Sequence, residues 1–565
     1  MSSSPRPQPM PSGVDVAQVH HDSPGLMLAA AAVGHGVVDV EPLAPRRARR
    51  GKRAPVTLFT LSALLALWVL SPIAFTVMRA TTFSLADLSD LLFRPLVGEL
   101  LSNTVLIVVT ATFASAVIGT GAAWFVERTR LPGRRFWAVL VAVPLAVPPF
   151  ISSYAWVSLS LDLQDFTGAL LVITCSYYPL VYLPVAAALR GMDPALEESA
   201  RSLGCGPWAV FLRVIVPQLR PALLGGMLLV ALGVLSEFGA FTLLRFRTFT
   251  TEIYAEYRTT FDGAGASVFA TVLIVICLVL IAAEFRVRGR ARYDGTGKGT
   301  LRAPVIYELG WRRVPVLGGF IALAAATLGV PLGMILFWLT QHGAAAITPA
   351  EVSLSRVFGA TIASLGLGAA AAVVATVLAI PLAILLTRYP GRLATLFERA
   401  VYLAQGVPGI VVALAVVSLA VRALQPLYQS WELLVLAYAL LFLPFALVNV
   451  RAALTQAQPR LEETARALGL GWFGTLARVV VPLAGPGLGA AAAMVFISVI
   501  TELTTTLLLV PIGTHTLATE VWADTSTLAF AAAAPYAALL VGLSLAATWL
   551  LIVLFGRSAV LGANV

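Results

Sequence analysis

The chain has 565 residues, of which 59% are hydrophobic and only 12% are charged. A soluble protein of this size would need far more polar surface, and the apolar residues fall in blocks of about 20, the length at which an α-helix crosses a bilayer. The net charge is +10, but most Lys and Arg lie in segments that share one side of the predicted membrane domain, which the positive-inside rule places in the cytoplasm. The charge therefore indicates orientation and gives no reason to expect a nucleic-acid partner.

The sequence predicts an all-α polytopic membrane protein with about 12 transmembrane helices. The predicted spans are about 55–78, 102–126, 137–160, 168–189, 221–243, 264–283, 314–339, 359–386, 397–421, 432–450, 484–508 and 531–555. Residues 55–285 form a predicted first domain of six spans and residues 314–565 a second. Residues 1–54 are predicted to be a disordered, basic cytoplasmic arm, and residues 286–313 a cytoplasmic linker. Both ends of the chain are predicted to face the cytoplasm.

One stretch of sequence occurs twice, once in each predicted domain. Residues 197–217 read EESARSLGCGPWAVFLRVIVP, and residues 462–482 read EETARALGLGWFGTLARVVVP. Each domain also carries a similar loop after its second span, TRLPGR at 129–134 and TRYPGR at 387–392. The two domains are therefore predicted to be parallel repeats, with a translocation route between them.

The repeated stretch is predicted to form a short surface helix on the cytoplasmic side, within loops 193–217 and 458–482. Asp193 and Pro194 are typical of an N-cap followed by the first helical position, and Gln458-Pro459 is a weaker version of the same signal. Gly204 and Gly469 then allow the chain to turn, and Pro217 and Pro482 are expected to stop a second short helix before the next span. An ordinary solvated loop is the alternative, but loops diverge quickly, and this one is retained in both halves.

The two stretches resemble the EAA loop of ABC-importer permeases. Glu198-Ser199-Ala200, Gly204 and Pro217 fit the spacing of that motif, and so do Glu463-Thr464-Ala465, Gly469 and Pro482. The resemblance implies that each loop is a coupling helix that docks into a groove on a separate ATPase subunit. The implied coupling residues are Glu197, Glu198, Ala200, Gly204, Pro217, Glu462, Glu463, Ala465, Gly469 and Pro482. The apolar residues Leu203, Trp208, Leu468 and Phe473 are predicted to anchor the helices in such a groove.

The chain itself is predicted to be a transport subunit without catalytic residues. Its one Gly-Lys candidate for a phosphate-binding loop is DGTGKGT, residues 294–300, in which Gly299 follows Lys298 and Arg292 stands in place of the first glycine. No bound cofactor is therefore expected, and ATP and Mg are expected on the partner ATPase. The five His and three Cys show no spacing typical of a metal site.

Glu237 and Glu502 are predicted to line the translocation route, near the outer ends of spans 5 and 11. An acidic side chain at membrane depth costs at least about 2–3 kcal/mol unless it faces protein or a water-filled cavity. Ser236, Thr501 and Thr505 are predicted to lie beside them. The alternatives are a structural pair with an arginine such as Arg245, or a position near the lipid headgroups. The turns Val147-Pro148-Pro149 and Val407-Pro408-Gly409 are predicted to break spans 3 and 9 near this route.

Residues 236–254 and 501–522 resemble, more narrowly, the fused permeases of the ferric-iron importer group, although Thr501-Glu502-Leu503-Thr504 departs from the Lys-Glu-Leu-Pro often found there. The resemblance implies an ATP-driven importer of ferric iron in a bacterial cytoplasmic membrane, with two copies of an ABC ATPase inside and an extracytoplasmic binding protein outside. Thiamine, 2-aminoethylphosphonate and polyamine are alternative substrates within the same family. An ion-driven secondary transporter can also have twelve spans in repeated halves, but it has no need of two docking helices.

Overall fold

The computed structural model describes residues 54–260, 262–288, 305–341, 353–457 and 459–561. The predicted arm lies outside the described residues except for Ala54, and so does the predicted linker except for residues 286–288 and 305–313. Gln458 and the DGTGKGT segment lie outside them as well.

The first half of the described chain is mainly helical. Its α-helices are α1 (Val56–Ala80), α2 (Leu85–Leu92), α3 (Pro95–Arg128), α4 (Arg134–Leu140), α5 (Pro149–Leu159), α6 (Phe166–Tyr177), α7 (Pro179–Arg190), α8 (Pro194–Ser202), α9 (Pro207–Val210), α10 (Val216–Ser236), α11 (Gly239–Leu243), α12 (Phe249–Arg258) and α13 (Gly263–Arg288). Helices in lipid satisfy all their backbone groups internally, which is why the long apolar blocks of this chain are helices.

The second half repeats this order. Its α-helices are α14 (Arg313–Ala324), α15 (Val330–Thr340), α16 (Leu354–Arg388), α17 (Arg392–Gln405), α18 (Gly409–Ala423), α19 (Trp431–Gln456), α20 (Pro459–Ala467), α21 (Trp472–Thr475), α22 (Val481–Ile500), α23 (Thr504–Leu509), α24 (Leu517–Ser526) and α25 (Phe530–Leu561). Several begin at a Ser or Thr whose side chain accepts an N–H of the first turn, as at Ser353, Ser430 and Thr516.

The described residues contain up to twelve membrane crossings, in agreement with the prediction of about twelve. Ten helical segments are long and apolar enough to span a membrane, and two further segments are bent pairs: residues 134–146 with 149–159 at 91°, and residues 392–405 with 409–423 at 103°. The first bent pair starts beside Arg128, on the side of the bundle that carries α8 and α20, here called the inner side. It ends near Gln164, which donates to the Leu243 carbonyl at the opposite, outer side, so the pair crosses. The predicted breaks at 147–149 and 407–409 are confirmed.

The structure corrects the bounds of spans 5 and 11. Both helices begin a few residues before the predicted starts and end earlier than predicted, at Ser236 and Ile500. Glu237 and Glu502 therefore follow the helices and are not within them. Pro217 does not stop a helix either. A π-helical turn, Phe211–Ile215, joins α9 to α10, with the Val216 N–H bonded to the Phe211 carbonyl five residues back. Such a turn accommodates the missing proline N–H, and Leu476–Val480 does the same before Pro482.

Each half is built around three helices in close contact, α3, α7 and α10 in the first and α16, α19 and α22 in the second. Small residues allow these helices to approach, as is common in membrane proteins. A Cβ added at Gly226 of α10 would lie 2.9 Å from Val181 Cα and 3.0 Å from the Leu180 carbonyl. At Gly487 of α22 it would lie 2.3 Å from Ala453 Cβ.

The first span of each half packs on the other half. Helix α1 contacts α16, α17 and α18 of the second half in addition to α13, and the rings of Phe59 and Phe397 are 5.3 Å apart. In the same way, α14 and α15 pack on the bent pair of the first half, where Trp137 and Phe320 are 5.3 Å apart. The two halves are therefore interlocked and are not two separate six-helix bundles.

The close approach of α7 and α10 can be tested with two neighbouring glycines. We expect Gly226→Val to destabilise the chain by about 1–3 kcal/mol, because the new side chain overlaps the α7 backbone. Gly225→Val is the matched control, since an added Cβ at Gly225 meets nothing within 4 Å. Thermal unfolding in detergent compares the two variants, and equal melting temperatures would contradict the packing described here.

Candidate functional site

The inner side carries two short helices, α8 and α20, that are built alike. The Asp193 carboxylate caps α8 by accepting the Ala195 N–H at 2.9 Å. The helix ends at Gly204, whose φ of 82° is left-handed, with the Gly204 N–H bonded to Arg201 and the Cys205 N–H bonded to Ala200. This is the Schellman arrangement. Gly469, with φ 88°, ends α20 with the matching bonds to Arg466 and Ala465.

Both helices present large apolar side chains to the inner side. Leu203 is 84% exposed, Trp208 77% and Leu468 81%, and the side chain of Phe473 lies outside the described residues. Glu198 and Glu463 are exposed on the same helices. Exposed apolar residues of this size, rimmed by charge, are typical of a protein interaction surface.

The first glutamate of each Glu-Glu pair is buried and does not reach this surface. Glu197 and Arg128, the last residue of α3, are both 0% exposed, with Oε1 and Nη1 2.8 Å apart. In the second half, Glu462 lies 2.7 Å from Nη2 of Arg388, the last residue of α16. Each short helix is thereby tied to the inner end of the second span of its own half. Sequence reasoning grouped Glu197 with Glu198, and the structure gives these two residues different environments.

The two ion pairs differ in how well their polar atoms are satisfied. Arg388 donates to Glu462 through Nε, at 2.8 Å, and to the carbonyls of Leu454 and Ala457. The Arg128–Glu197 contact is short but lacks the alignment of a hydrogen bond, and the other guanidinium nitrogens of Arg128 have no protein acceptor within the described residues. The first pair therefore depends more completely on its mutual charge.

The sequence signal for these arginines was incomplete. The loops TRLPGR and TRYPGR align Arg130 with Arg388, yet the partner of Glu197 is Arg128, two residues earlier. Arg130 instead pairs with Glu308, at 2.7 Å on the surface. A loop alignment alone would have selected the wrong arginine in the first half.

The predicted route residues lie at a second set of helix breaks, in the middle of the molecule. Glu237 follows the end of α10, and its Oε1 accepts the Ala240 N–H at 2.9 Å, which caps α11. Its Oε2 accepts a 2.8 Å hydrogen bond from the hydroxyl of Tyr177. Sequence reasoning missed Tyr177, which lies two residues before Pro179 at a junction of helices and carried no motif.

Glu502 has the equivalent position in the second half. Its Oε1 accepts the N–H and the hydroxyl of Thr505, at 2.9 and 3.0 Å, and so caps α23. Thr505 is fully buried, and Glu502 is half-buried like Glu237. Tyr438, which was also missed, shares a 2.6 Å hydrogen bond with Thr506 nearby.

The breaks of the two halves meet at the centre. A Cβ added at Gly239, two residues after Glu237, would lie 2.7 Å from the side chain of Leu503, the residue after Glu502. At Gly409, at the break of the second bent pair, it would lie 3.3 Å from Glu502 Oε1. The structure thus brings Glu237, Glu502 and Thr505 to one central cluster.

Ser236 and Thr501 flank this cluster, each half-buried, and Thr501 donates to carbonyls of its own helix. Among the described residues, no three His, Cys, Asp or Glu side chains are placed to hold a metal ion together. The central cluster brings together two carboxylates and several hydroxyls.

Two further short helices, α12 and α24, lie on the outer side in equivalent positions. Each begins at a threonine capping box, Thr248 with Thr251 and Thr516 with Thr519. Both carry acidic residues. Burial and the nearby Glu520 raise the pKa of Asp524 to about 6, and Glu520 pairs with His515 at 2.5 Å. Acidic side chains therefore lie on the outer helices of both halves, Glu252 on α12 and Glu520 and Asp524 on α24.

Comparison with known proteins identifies relatives of this chain. Residues 116–290 and 375–557 each match the sequence model of the family described as binding-protein-dependent transport system inner membrane component. The chain is 37% identical over 493 residues to the Fe(3+)-transport system permease protein FbpB 2 of Haemophilus influenzae, covering 87% of this chain and 96% of that protein. It is 28% identical over 248 residues to the sulfate transport system permease protein CysT of Escherichia coli, covering 40% and 90% respectively.

The buried Arg128–Glu197 ion pair, here called the tether of α8, predicts that the neighbouring residues Glu197 and Glu198 differ in their effect on stability. We expect Glu197→Ala to destabilise the chain by about 3–5 kcal/mol, because Arg128 would be left buried without a counter-charge. Glu198→Ala, one residue along the same helix, is the matched control and should change stability little. Thermal unfolding in detergent gives both values.

Replacing both Arg128 and Glu197 distinguishes the loss of charge pairing from the loss of packing. An Arg128→Met/Glu197→Leu variant should recover most of the stability lost in Glu197→Ala, since an apolar pair removes the desolvation cost of two buried charges. A melting temperature for Glu197→Ala equal to that of Glu198→Ala would refute the tether.

Proposed function

The chain belongs to the family of binding-protein-dependent transport system inner membrane components, as the permease of an ABC importer, and on this basis we propose that it carries ferric iron. Substrate would be received from an extracytoplasmic binding protein and released into the cytoplasm by alternating access. The observation that carries the coupling part of this proposal is the pair of tethered helices, α8 and α20, with exposed Leu203, Trp208 and Leu468.

Two equivalent docking helices call for two copies of a cytoplasmic ABC ATPase. An apolar helix face inserted into a groove is a common mode of protein recognition, and a helix tied to a membrane span by an ion pair can pass a rigid-body movement to that span. ATP and Mg would be bound by the ATPase subunits, with no cofactor on this chain. The inner side would then be cytoplasmic, with both chain ends on it, and the membrane would be the bacterial cytoplasmic membrane.

Two observations support ferric iron as the substrate. The relative named for Fe(3+) transport is 37% identical over 87% of this chain, whereas the one named for sulfate transport is 28% identical over 40% of this chain and 90% of its own length. Carboxylates also lie in the central cluster, at Glu237 and Glu502, and on the outer helix α24, at Glu520 and Asp524. Negative charge lowers the energy of a cation in a low-dielectric passage and raises that of an anion such as sulfate.

The docking proposal is tested by reversing charge on both helices. The chain is reconstituted in nanodiscs with its ATPase subunit and a ferric-loaded binding protein. Glu198→Arg/Glu463→Arg should reduce co-purification and stimulated ATP hydrolysis by at least about tenfold, because like charges juxtaposed at an interface cost several kcal/mol. Asp90→Arg, an exposed reversal on α2 at the outer side, should leave both unchanged.

Thiamine-loaded and polyamine-loaded binding proteins, used as alternative stimulators, decide the substrate. If ferric-loaded protein does not stimulate hydrolysis and another does, the iron assignment is wrong. Transport that proceeds without ATP, driven by an ion gradient, would instead favour a secondary transporter.

The role of the central carboxylates is tested with a substitution that keeps their capping oxygen. Glu237→Gln and Glu502→Gln retain a carbonyl that can accept the Ala240 and Thr505 N–H groups, but they remove the charge. We expect iron transport to fall at least about tenfold in the double variant, because a tenfold change corresponds to the loss of about one charge interaction with the substrate. The melting temperature should not change. Glu237→Ala should lower stability as well, because the cap is lost. Full transport by the Gln variants would leave the two glutamates a purely structural role.

A further inference from the structure

A segment of the linker between the two halves lies against the first coupling helix. Residues 305–309, here called the strap, run beside the loop that follows α3. The Tyr307 N–H donates to the Arg128 carbonyl at 2.8 Å, and the Arg130 N–H donates to the Tyr307 carbonyl at 3.1 Å. These bonds form a parallel β-bridge between Thr129 and Tyr307. The strap is thus hydrogen-bonded to the same residue, Arg128, that ties α8 to α3.

The side chain of Tyr307 reaches α8 directly. Its hydroxyl accepts a hydrogen bond from Arg201 Nη2 at 2.5 Å, and the Arg201 guanidinium carbon lies 5.0 Å from the centre of the tyrosine ring. The ring also packs 5.4 Å from Trp124 of α3. Together these contacts place Tyr307 against both α3 and α8. The Arg130–Glu308 pair nearby is about 70% exposed on each side and adds little.

The strap lies here because the first span of each half packs on the other half. Residue 309 leads directly into the turn Gly310–Arg312 and α14, which packs on the bent pair of the first half. The chain entering α14 must therefore pass the inner end of α3. The strap connects the coupling helix of the first half to the first span of the second.

The second coupling helix has no such connection within the described residues. Arg466 of α20 matches Arg201 in the repeat, but its Nη2 lies 3.5 Å from Glu462 of its own helix. The bridge at Thr129 has no counterpart at Thr387 in the described part of the chain. Arg201 and Arg466 thus hold the same place in the two helices and contact different elements.

We propose that Tyr307 and Arg201 are positioning residues that make the strap part of the first coupling site, so that a movement of α8 is passed directly to α14 of the second half. The proposal rests on the docking of an ATPase at α8. Within the described residues, only the first docking site includes such a strap, since Arg466 contacts its own helix. Neither residue contacts substrate or nucleotide.

The contact itself is tested on the chain alone, by hydrogen exchange of backbone amides in nanodiscs. In Tyr307→Ala, the amides that close α8, at residues 203–205, should exchange faster by about two- to thirtyfold, the range expected for losing a hydrogen bond and a cation–π contact. Exchange in α20 should not change. Tyr307→Phe, which keeps the ring and the backbone bridge, should give a smaller increase in α8 and an unaltered melting temperature, so that the test stands even if the alanine variant folds poorly.

Arg201→Ala and Arg466→Ala are the matched pair of controls. Arg201→Ala should reproduce the effect of Tyr307→Ala on α8, and Arg466→Ala should leave α8 unchanged. Unchanged exchange of α8 in Tyr307→Ala, or equal increases in α8 and α20, would overturn the proposal.

The consequence for coupling is measured with the reconstituted complex, as substrate transported per ATP hydrolysed. Tyr307→Phe should lower this ratio while the ATPase still co-purifies, since docking and nucleotide chemistry are left intact. An unchanged ratio in a variant whose α8 exchange has risen would refute transmission through the strap. If no ATPase co-purifies with the wild type, the proposed function fails, and the exchange experiment still decides whether the strap holds α8.

Discussion

The hydrophobic interior of a bilayer offers no hydrogen-bond partners, so each interruption of a membrane helix must be satisfied by the protein itself. The described residues have central interruptions at 147–149, 237–239, 407–409 and 501–504, and side chains of the protein satisfy backbone groups at three of them. Glu237 and Glu502 cap the helices that follow them. Ser544 of α25 donates to the Ala146 carbonyl at the end of the first broken segment. The same carboxylates satisfy the backbone and lie in the central cluster, so that in the proposed function one set of residues would serve both structure and route.

The buried ion pairs at the inner side also reflect the need to satisfy buried polar groups within the protein. Two buried charges are costly unless they are paired, so Arg128 and Glu197 hold α8 in one position relative to α3, and Arg388 and Glu462 do so for α20 and α16. A helix attached only by its two connecting loops could move without moving the span. The buried pairs fix α8 and α20 to the spans behind them, and Leu203 and Leu468 remain exposed.

The sequence was sufficient for the elements whose signal is local. Twelve crossings, the breaks at proline and glycine, the cap at Asp193 and the turns at Gly204 and Gly469 all depend on residues close in the chain. The ends of spans 5 and 11 were wrong because apolar residues continue beyond Glu237 and Glu502, and hydropathy alone does not show that the backbone leaves the helix there. Tyr177, Arg128 and Tyr307 could not have been identified, since each acts on a partner from another element.

The exchange of first spans has a mechanical consequence for the fused chain. Since α1 packs on the second half and α14 on the first, the groups of helices that can move as units differ from the halves defined by chain order. A rotation of α3, α7 and α10 carries α14 and α15 with it, and a rotation of α16, α19 and α22 carries α1. The chain segment before α14 must then follow the first half, which is where Tyr307 meets Arg128 and Arg201. A linker held in this way is under geometric constraint at residues 305–309.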